Sequence, residues 1–254
     1  MRWGGSEGVV AVSAHDGTAL WRRSFDGANG LGIASDGLGR VFVADPGGAV
    51  PMLRALDPQG GEAWAIEVPE EPAILAVIPS HVFLSAGGKL EARSAVSGNL
   101  LWDREHLPKD VVVSQEWAFV LEEGPAGPRL VVLHLADGNP GGPAYDLQDA
   151  QALSTLALRS EDGAILLGLR GEPVASWWLD EYDAAGARSA ACTIPETSIA
   201  GSWAFLPATG GDEPRLVVRT EAGRIRTFIA PRLGSPPFGW KAEKGSFARG
   251  GRPR

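Results

Sequence analysis

Four histidines are the side chains of this 254-residue chain best suited to metal binding or proton transfer, and they are far apart in the sequence. His15, His81, His106 and His134 show neither the His-x-His nor the His-Glu-x-x-His spacing that places two imidazoles on one metal ion. A metal site would therefore need residues from distant segments. We interpret the four histidines as solvated residues of turns and strands.

Other reactive residue types are also isolated in the sequence. The segment Asp180-Glu181-Tyr182-Asp183 offers three carboxylates for Ca²⁺, but it lacks the alternating acidic loop and closing Glu of an EF-hand, so we interpret it as a charged turn. We interpret Trp177-Trp178 as part of a strand with one buried and one exposed side chain, not as a sugar platform. Cys192 is the only cysteine, which excludes an intrachain disulfide. We name no catalytic, cofactor-binding or metal-binding residue.

The composition is that of a chain with a packed core and little helix. It contains 34 Gly and 19 Pro, which interrupt helices, while 44% of its residues are hydrophobic and 21% are charged. The net charge of -8 argues against nucleic-acid binding through general phosphate attraction. No window approaches the roughly 18 apolar residues of a membrane-spanning helix, so we predict no transmembrane segment.

Internal repeats give the strongest signal in the sequence. Three turns that end in Gly are each followed four residues later by Trp, and each is preceded by a strand-like run ending in a variant of Ala-Leu-Asp. Weaker copies without the Trp follow at Gly138, Gly186 and Gly223. The glycines recur about every 41 residues, the length of one four-stranded propeller blade. The three complete pairs are Gly17 and Trp21, Gly60 and Trp64, and Gly98 and Trp102.

A second pattern supports the same period. Trp117 and Trp203 each begin a Trp-Ala-Phe run, and each is followed 11 residues later by Pro-Arg-Leu-Val-Val. Within the third repeat, strands are predicted at 73–78, 82–86, 90–95 and 100–104. Such a small sheet cannot bury both faces alone, so the sheets must pack against one another. We predict an all-β fold, a β-propeller of about six four-stranded blades, the first incomplete.

The repeat also predicts the domain organisation. In the first repeat, a strand at 8–13 leads directly to the turn at Gly17, so its two inner strands are missing and we expect the natural polypeptide to be longer at its amino end. The tail carries six basic residues against one acidic residue and is rich in Pro and Gly, which makes it a poor strand donor. The predicted blades are 1–26 (partial), 27–69, 70–107, 108–148, 149–195 and 196–230, followed by a basic tail at 231–254.

The repeated Trp is predicted to be structural. An indole on the outermost strand of one blade can fill the gap to the next blade while its N–H reaches a backbone carbonyl. Gly142, Ala190 and Thr227 occupy this position in the later copies. We therefore expect looser packing there.

The pattern Ala-Leu-Asp-x-x-x-Gly-x-x-x-Trp, clearest at 9–21, 53–64 and 90–102, resembles the repeat of pyrroloquinoline-quinone (PQQ) type propellers. The resemblance covers about residues 5–230 and implies a propeller fold. In character the chain is more similar to the outer-membrane assembly lipoprotein propellers than to the quinoprotein dehydrogenases, which hold PQQ and calcium near the axis. The alcohol dehydrogenases cap the quinone with a disulfide between adjacent cysteines, which Cys192 alone cannot form. We therefore expect no cofactor.

The resemblance implies a non-catalytic scaffold that binds a protein partner through its strand-connecting loops. It also implies a bacterial envelope location, in the periplasm or at the outer membrane. Two alternatives are a PQQ-dependent oxidoreductase relative, whose Arg, Asp and Glu side chains would converge on the axis, and an extracytoplasmic sensor module. No nucleic-acid partner is expected, and no pattern specifies an oligomeric state.

Overall fold

The computed structural model consists of β-strands joined by turns. Within the residues that it describes there are twenty-one strands, β1 to β21, and no helix of the length and apolar character needed to cross a membrane. The described residues are 7–25, 31–47, 49–69, 72–105, 108–147, 150–160, 163–170, 176–183, 185, 188–194, 199–206, 215–220 and 224–229.

The chain divides into two compact units, Met1–His106 and Leu107–Arg254. Unit 1 contains a two-stranded sheet, β1-β2, and two four-stranded sheets, β3-β4-β5-β6 and β7-β8-β9-β10. Each sheet is an antiparallel meander in which strands consecutive in sequence pair. The strands are β1 (Glu7–Val12), β2 (Ala19–Phe25), β3 (Gly32–Ser35), β4 (Val41–Asp45), β5 (Met52–Leu56), β6 (Glu62–Glu67), β7 (Ala73–Val77), β8 (His81–Ala86), β9 (Lys89–Ser94) and β10 (Leu100–Arg104).

Unit 2 repeats the same meander. It contains the four-stranded sheets β11-β12-β13-β14 and β15-β16-β17-β18, and its described residues supply three strands to the sheet β19-β20-β21. The strands are β11 (Pro108–Val113), β12 (Trp117–Gly124), β13 (Gly127–His134), β14 (Tyr145–Asp146), β15 (Ala150–Ser160), β16 (Gly163–Arg170), β17 (Ser176–Asp183), β18 (Arg188–Ile194), β19 (Ile199–Leu206), β20 (Arg215–Thr220) and β21 (Ile225–Ile229).

The strands of the third repeat lie where the sequence predicts them. β7, β8 and β9 each begin or end within one residue of the predicted limits, and β10 has the predicted limits. The prediction for Asp180-Glu181-Tyr182-Asp183 is wrong, because these residues form the end of β17 and pair with β16 and β18. A buried Tyr182 in the middle of the segment explains the difference, since its ring belongs to the apolar core.

The turns that carry the repeated glycine share one geometry. After β1, β9 and β13 the glycine N–H donates to the carbonyl oxygen four residues earlier at 2.8 to 2.9 Å. Gly17, Gly98 and Gly138 have φ between 68° and 74°, a conformation that favours glycine. The turn between β5 and β6 is one residue shorter, and there Gly60 has φ 83°. The glycine therefore follows the Ala-Leu-Asp run of the second copy three residues later, whereas in the first and third copies it follows the corresponding run four residues later.

The first strands of consecutive sheets are neighbours. β3 lies beside β7 in unit 1, and β11 lies beside β15 in unit 2. Apolar side chains fill the space between sheets: Val9 and Phe25 of the first sheet pack with Val43 and Leu56 of the second. In unit 2 the core of the β11–β14 sheet continues into the next sheet. The predicted blade boundaries stay predictions, and the predicted tail lies outside the described residues.

Candidate interaction surface

A tryptophan on β2 joins the first two sheets of unit 1. The Nε1 of Trp21 donates to the carbonyl oxygen of Pro58 at 3.0 Å. The ring lies over Gly60, where a Cβ would stand 2.6 Å from Cδ2. The close approach requires a residue without a side chain at the positive φ of this turn.

A tryptophan on β6 repeats the contact one sheet further along. The Nε1 of Trp64 donates to the carbonyl oxygen of Ala95 at 3.3 Å, and its ring lies over Gly98, where a Cβ would stand 2.9 Å from Cε3. Phe42 packs against the same indole, with the ring centroids 5.9 Å apart. The predicted structural role of the repeated Trp is confirmed for these two copies.

The fourth repeat, which has Gly142 at the Trp position, is packed differently from the prediction. A Cβ at Gly142 would overlap the carbonyl oxygen of Ala185, so the two backbones are in direct contact. Tyr145 packs edge-on against the buried Tyr182 with their centroids 5.1 Å apart. The expectation of looser packing is wrong here, because the absence of a side chain lets the next turn approach the backbone and the tyrosines add an aromatic contact.

Arg40 connects three turns of unit 1. Its Nε donates to Oδ2 of Asp36 at 2.7 Å, one terminal nitrogen donates to the carbonyl oxygen of Ala95 at 3.0 Å, and the other donates to that of Pro79 at 2.6 Å. The side chain of Arg40 is 18% exposed and that of Asp36 is fully buried. Because the guanidinium is a rigid planar fork, it fixes the turn after β3 against two turns of the next sheet.

Carboxylates in this region stabilise the turns that contain them. Asp16, Asp36 and Asp57 each accept backbone N–H groups of their own turn at 2.8 to 3.1 Å. The Thr18 N–H is the main cause of a lowered pKa at Asp16, and the Thr18 hydroxyl adds to it. The acidic side chains therefore order the backbone of the turns.

The turns at one end of the unit 1 sheets form a continuous surface, which we call the turn face. It comprises the turns 13–18, 36–40, 57–61, 78–81 and 94–99. In an antiparallel meander the first and third turns lie at the same end of the sheet. Contacts join four of these turns: the Ala95 N–H donates to the Ser80 carbonyl oxygen at 3.0 Å, and Gly39 lies against Pro58. The turn 13–18 lies at the same end, since Trp21, just after it, reaches the turn 57–61.

Exposed apolar side chains are concentrated on the turn face and on the strand residues next to it. Leu38 is 64% exposed and Val96 is 71% exposed, and both lie one or two residues from the contacts of Arg40. Leu20, Leu100 and Leu101, at the starts of β2 and β10, are 47 to 65% exposed. In the described turns at the opposite end of the unit 1 sheets, Val50 alone is a large apolar residue with an exposed side chain. Val10 and Ile33, within β1 and β3, are also exposed, so the turn face and the strand residues next to it hold most but not all of the exposed large apolar side chains described in unit 1.

Sequence reasoning did not identify this surface. Leu38 and Val96 have no motif, and Arg40 gains its importance from carbonyl groups 39 and 55 residues away in sequence. One signal is visible afterwards: Arg40 directly precedes an apolar run, and His81 and Trp117 occupy the corresponding place in the next two repeats. Of these three residues, Arg40 reaches the turns of the next sheet.

The inner strands of unit 1 have no ionisable side chain. Ile33 and Ser35 of β3 and Ala73 of β7 are exposed, and Leu75 is half-buried. An anionic quinone with a calcium ion would need basic side chains and carboxylates at these positions. The residues of these two strands do not fit such a cofactor.

The histidines are dispersed, as the sequence predicts, and one of them is partly buried. His15 and His134 are exposed, whereas His81 is half-buried, stacks on Phe83 and has its Nδ1 2.8 Å from Ser80 Oγ. Burial lowers the pKa of His81. His106 lies outside the described residues, within which no group of three or more His, Cys, Asp or Glu side chains could share a metal ion.

For several further residues the structure describes the strand but not the side chain. For Trp177 and Trp178 the structure confirms a strand, β17, and their side chains are not described. The same is true of Cys192 in β18 and of Ala190. Thr227 in β21 is exposed.

Repeated four-stranded meanders joined by tryptophan contacts define the class of PQQ-type β-propeller repeat proteins. The sequence model of the family described as outer membrane protein assembly factor BamB matches residues 5–166. The chain belongs to this family. A comparison with curated proteins finds no match.

Solved structures agree with this fold. BamB from Moraxella catarrhalis is 14% identical with a TM-score of 0.54, covering 86% of this chain and 66% of that one. Hydrazine synthase from Kuenenia stuttgartiensis is 11% identical with a TM-score of 0.63, covering 89% and 71%. Hsv2 from Kluyveromyces lactis is 10% identical with a TM-score of 0.57, covering 89% and 67%. The chain thus spans slightly less than two thirds of the BamB structure, and these similarities establish the fold.

Proposed function

We propose that this chain is a non-catalytic propeller scaffold that binds a protein partner through the turn face. The observation that carries the proposal is the cluster of exposed leucine and valine side chains on turns held in place by Arg40 and by the two indoles. Exposed apolar side chains grouped on one face are typical of a site that a partner covers. Turns that are already ordered lose little conformational entropy on binding, which favours affinity.

The chemistry of the turn face favours a protein over a nucleic acid. Arg40 is the only Lys or Arg in its five turns, and its three donor groups are engaged within the protein. Exposed Asp16 adds negative charge to a chain whose net charge is already -8. Phosphate groups would find no cation there, whereas an apolar or amphipathic protein surface would bury Leu38 and Val96.

The inner strands support the non-catalytic part of the proposal. A quinone-dependent oxidoreductase would place Arg, Asp and Glu side chains near the axis, and β3 and β7 consist of Gly, Ala, Ser, Ile, Leu and Val. The direct test is to add PQQ and calcium and to follow absorbance and dye reduction. We expect no spectral change and no dye reduction, and a response in both would establish the oxidoreductase instead.

The family suggests where the scaffold works. Because the matching family is described as an outer membrane protein assembly factor, we propose that this chain assists protein assembly in a bacterial envelope, in the periplasm or at the outer membrane. Fractionation of the native host with an antibody to the chain tests this location. Recovery with the cytoplasmic proteins would contradict it.

Site-specific photo-cross-linking tests the proposed surface. A photoreactive phenylalanine analogue is placed at Leu38 or Val96 and, as a matched control, at Val50, which is 42% exposed at the other end of the sheets. We expect one defined protein to be cross-linked from both turn-face positions and not from Val50, and its identity to be read by mass spectrometry. Equal cross-linking from all three positions would contradict the proposal.

A further inference from the structure

Four turns of the turn face contact one another, and we call them the joined turns: 36–40, 57–61, 78–81 and 94–99. The turn 57–61 uses all of its backbone N–H groups internally. The Asp57 carboxylate accepts two of them at 2.8 Å, and the other two donate to carbonyl oxygens of the same turn at 2.8 and 3.0 Å. Pro58 has no N–H. This turn therefore offers no backbone donor to another molecule.

The neighbouring turns use their N–H groups in the same way. In the turn 36–40 the buried Asp36 accepts three N–H groups, two at its carboxylate and one at its carbonyl oxygen. In the turn 94–99 every backbone N–H donates to a carbonyl or serine hydroxyl oxygen, at 2.8 to 3.4 Å. Free N–H groups of turns commonly bind anions. A partner carboxylate would therefore find no backbone donor in the turns 57–61 and 94–99.

Several carbonyl oxygens of the joined turns are open, in contrast to the N–H groups. Those of the exposed residues Leu38, Gln59 and Val96 accept no hydrogen bond from the residues that the structure describes. Each of the three residues lies one or two positions from a contact that joins its turn to another. The joined turns thus combine exposed apolar side chains with open hydrogen-bond acceptors.

Arg40 shows how a guanidinium binds to carbonyl oxygens of these turns. It donates to the carbonyl oxygen of Ala95 at 3.0 Å and to that of Pro79 at 2.6 Å, while its Nε donates to the Asp36 carboxylate. One planar guanidinium therefore reaches acceptors on two turns of the neighbouring sheet. A second guanidinium, from another molecule, can use the open acceptors in the same manner.

The charge of the turn face also favours a cation. Its five turns contain Asp16, Asp36 and Asp57 against Arg40 alone, and Asp36 and Arg40 form an ion pair. Asp16 is exposed, and the Thr18 N–H lowers the pKa of its carboxyl, so that Asp16 is ionised at neutral pH. The formal charge of the turn face is therefore negative.

We propose that the joined turns bind an arginine side chain of the partner protein, flanked in the partner by aliphatic residues. The guanidinium donates to the open carbonyl oxygens near Leu38, Gln59 and Val96, and the aliphatic neighbours cover the Leu38 and Val96 side chains. Arginine fits better than lysine, because its rigid fork can reach acceptors on two turns at once. Arginine is also enriched among the residues that dominate binding at protein interfaces. The inference rests on the proposed scaffold function and specifies the chemistry of the partner.

A set of peptides that differ in one residue provides the probe. The parent peptide is acetyl-Ala-Leu-Arg-Val-Ala-amide, and three variants carry lysine, citrulline or glutamate in place of the arginine. Citrulline keeps the shape of arginine and lacks its charge. We would titrate each peptide into ¹⁵N-labelled full chain and follow the amide resonances of the joined turns. We expect saturable shifts with the arginine peptide, about tenfold weaker binding of the lysine and citrulline peptides, and no saturable shift with the glutamate peptide.

Two variants of the protein locate the binding site. Gln59→Lys places an ammonium group beside the open carbonyl oxygens, and Val50→Lys is the matched control, because it adds the same charge at an exposed residue at the other end of the sheets. Both variants keep Leu38 and Val96. We expect Gln59→Lys to lower the affinity for the arginine peptide about tenfold and Val50→Lys to leave it unchanged.

Three results would overturn the proposal. They are the absence of a saturable shift with the arginine peptide at millimolar concentration, equal affinity of the arginine peptide and any of its three variants, and unchanged affinity in Gln59→Lys. The scaffold function can fail separately, because cross-linking from Leu38 and Val96 requires no arginine in the partner. Cross-linking of one protein without a preference for the arginine peptide would refute the arginine site alone. A preference for the arginine peptide without cross-linking would refute the scaffold function.

Discussion

The indole of Trp21 covers Gly60 so closely that a Cβ at residue 60 would stand 2.6 Å from the ring atom Cδ2. This contact links the outer strand of one sheet to a turn of the next, and Trp64 repeats it over Gly98. The glycine is required for two independent reasons, its positive φ and the absence of space for a side chain. The two reasons can be separated experimentally.

Gly60→Ala is expected to destabilise the protein more than Gly88→Ala. Both glycines have φ near 80°, so both variants incur the left-handed backbone penalty of about 1–2 kcal/mol. Only the variant at 60 also forces the Trp21 ring away, which adds about 1–3 kcal/mol. Urea unfolding of the two variants measures the difference. Equal losses of stability would show that the indole does not press on the glycine.

Arg40→Ala is expected to lower the free energy of unfolding by about 2–4 kcal/mol, because it leaves the buried carboxylate of Asp36 without its guanidinium. Arg23→Ala is the control. The Arg23 side chain is 38% exposed and its guanidinium lies 3.4 Å from Glu62, and such an exposed ion pair contributes less than about 1 kcal/mol. Arg40→Lys should fall between them because an ammonium cannot make all three contacts. Chemical denaturation compares the three variants. Similar losses of stability in Arg40→Ala and Arg23→Ala would contradict the role of Arg40 in holding the three turns together.

Asp110→Ala is expected to release a backbone contact between two sheets of unit 2. The Oδ2 of the buried Asp110 accepts the N–H of Leu156 at 2.6 Å, while Oδ1 is 2.9 Å from the N of Val111. Loss of this acceptor should cost about 1–3 kcal/mol and increase hydrogen exchange at the Leu156 amide. Asp146→Ala, at an exposed residue of β14, is the control and should leave that amide protected. Unchanged exchange in Asp110→Ala would refute the assignment.

His81 is expected to make stability depend on pH. Burial holds its pKa below the ordinary value of 6.5, so the unfolded chain takes up the proton first as the pH falls. The contribution of the neutral His81 to stability is therefore complete above pH 6.5, and it is lost as the pH falls through the lower folded-state pKa. The free energy of unfolding is measured for the wild type and His81→Gln across this pH range. The difference between the two proteins should be constant above pH 6.5 and should change as the pH falls below it. Parallel curves throughout would contradict the prediction.

Much of the fold could be predicted because its signal is local. A glycine turn followed four residues later by Trp already contains the positive-φ residue and the side chain that packs on the next turn. The prediction went wrong where the partner is distant in sequence, as with Gly142 against Ala185 and with the buried Tyr182 that draws its acidic neighbours into a strand.

The candidate surface was harder to predict for the same reason. Leu38 and Val96 lie 58 residues apart in sequence and come close because β3 packs beside β7 and Arg40 reaches the carbonyl oxygen of Ala95. Neither an exposed leucine nor an exposed valine has a distinctive pattern of its own. Their grouping on one surface depends on how the sheets pack, and the local sequence does not predict that packing.

A hydrogen-exchange footprint of the complex tests the central claim, that the turn face is the surface that holds a partner. Once cross-linking has identified the partner, exchange is measured on the chain alone and with the partner bound. We predict slower exchange in peptides that contain 36–40 and 94–99, with no change at 46–51 and 87–88 at the other end of the sheets. Protection confined to 46–51 and 87–88, or none in unit 1, would contradict the claim.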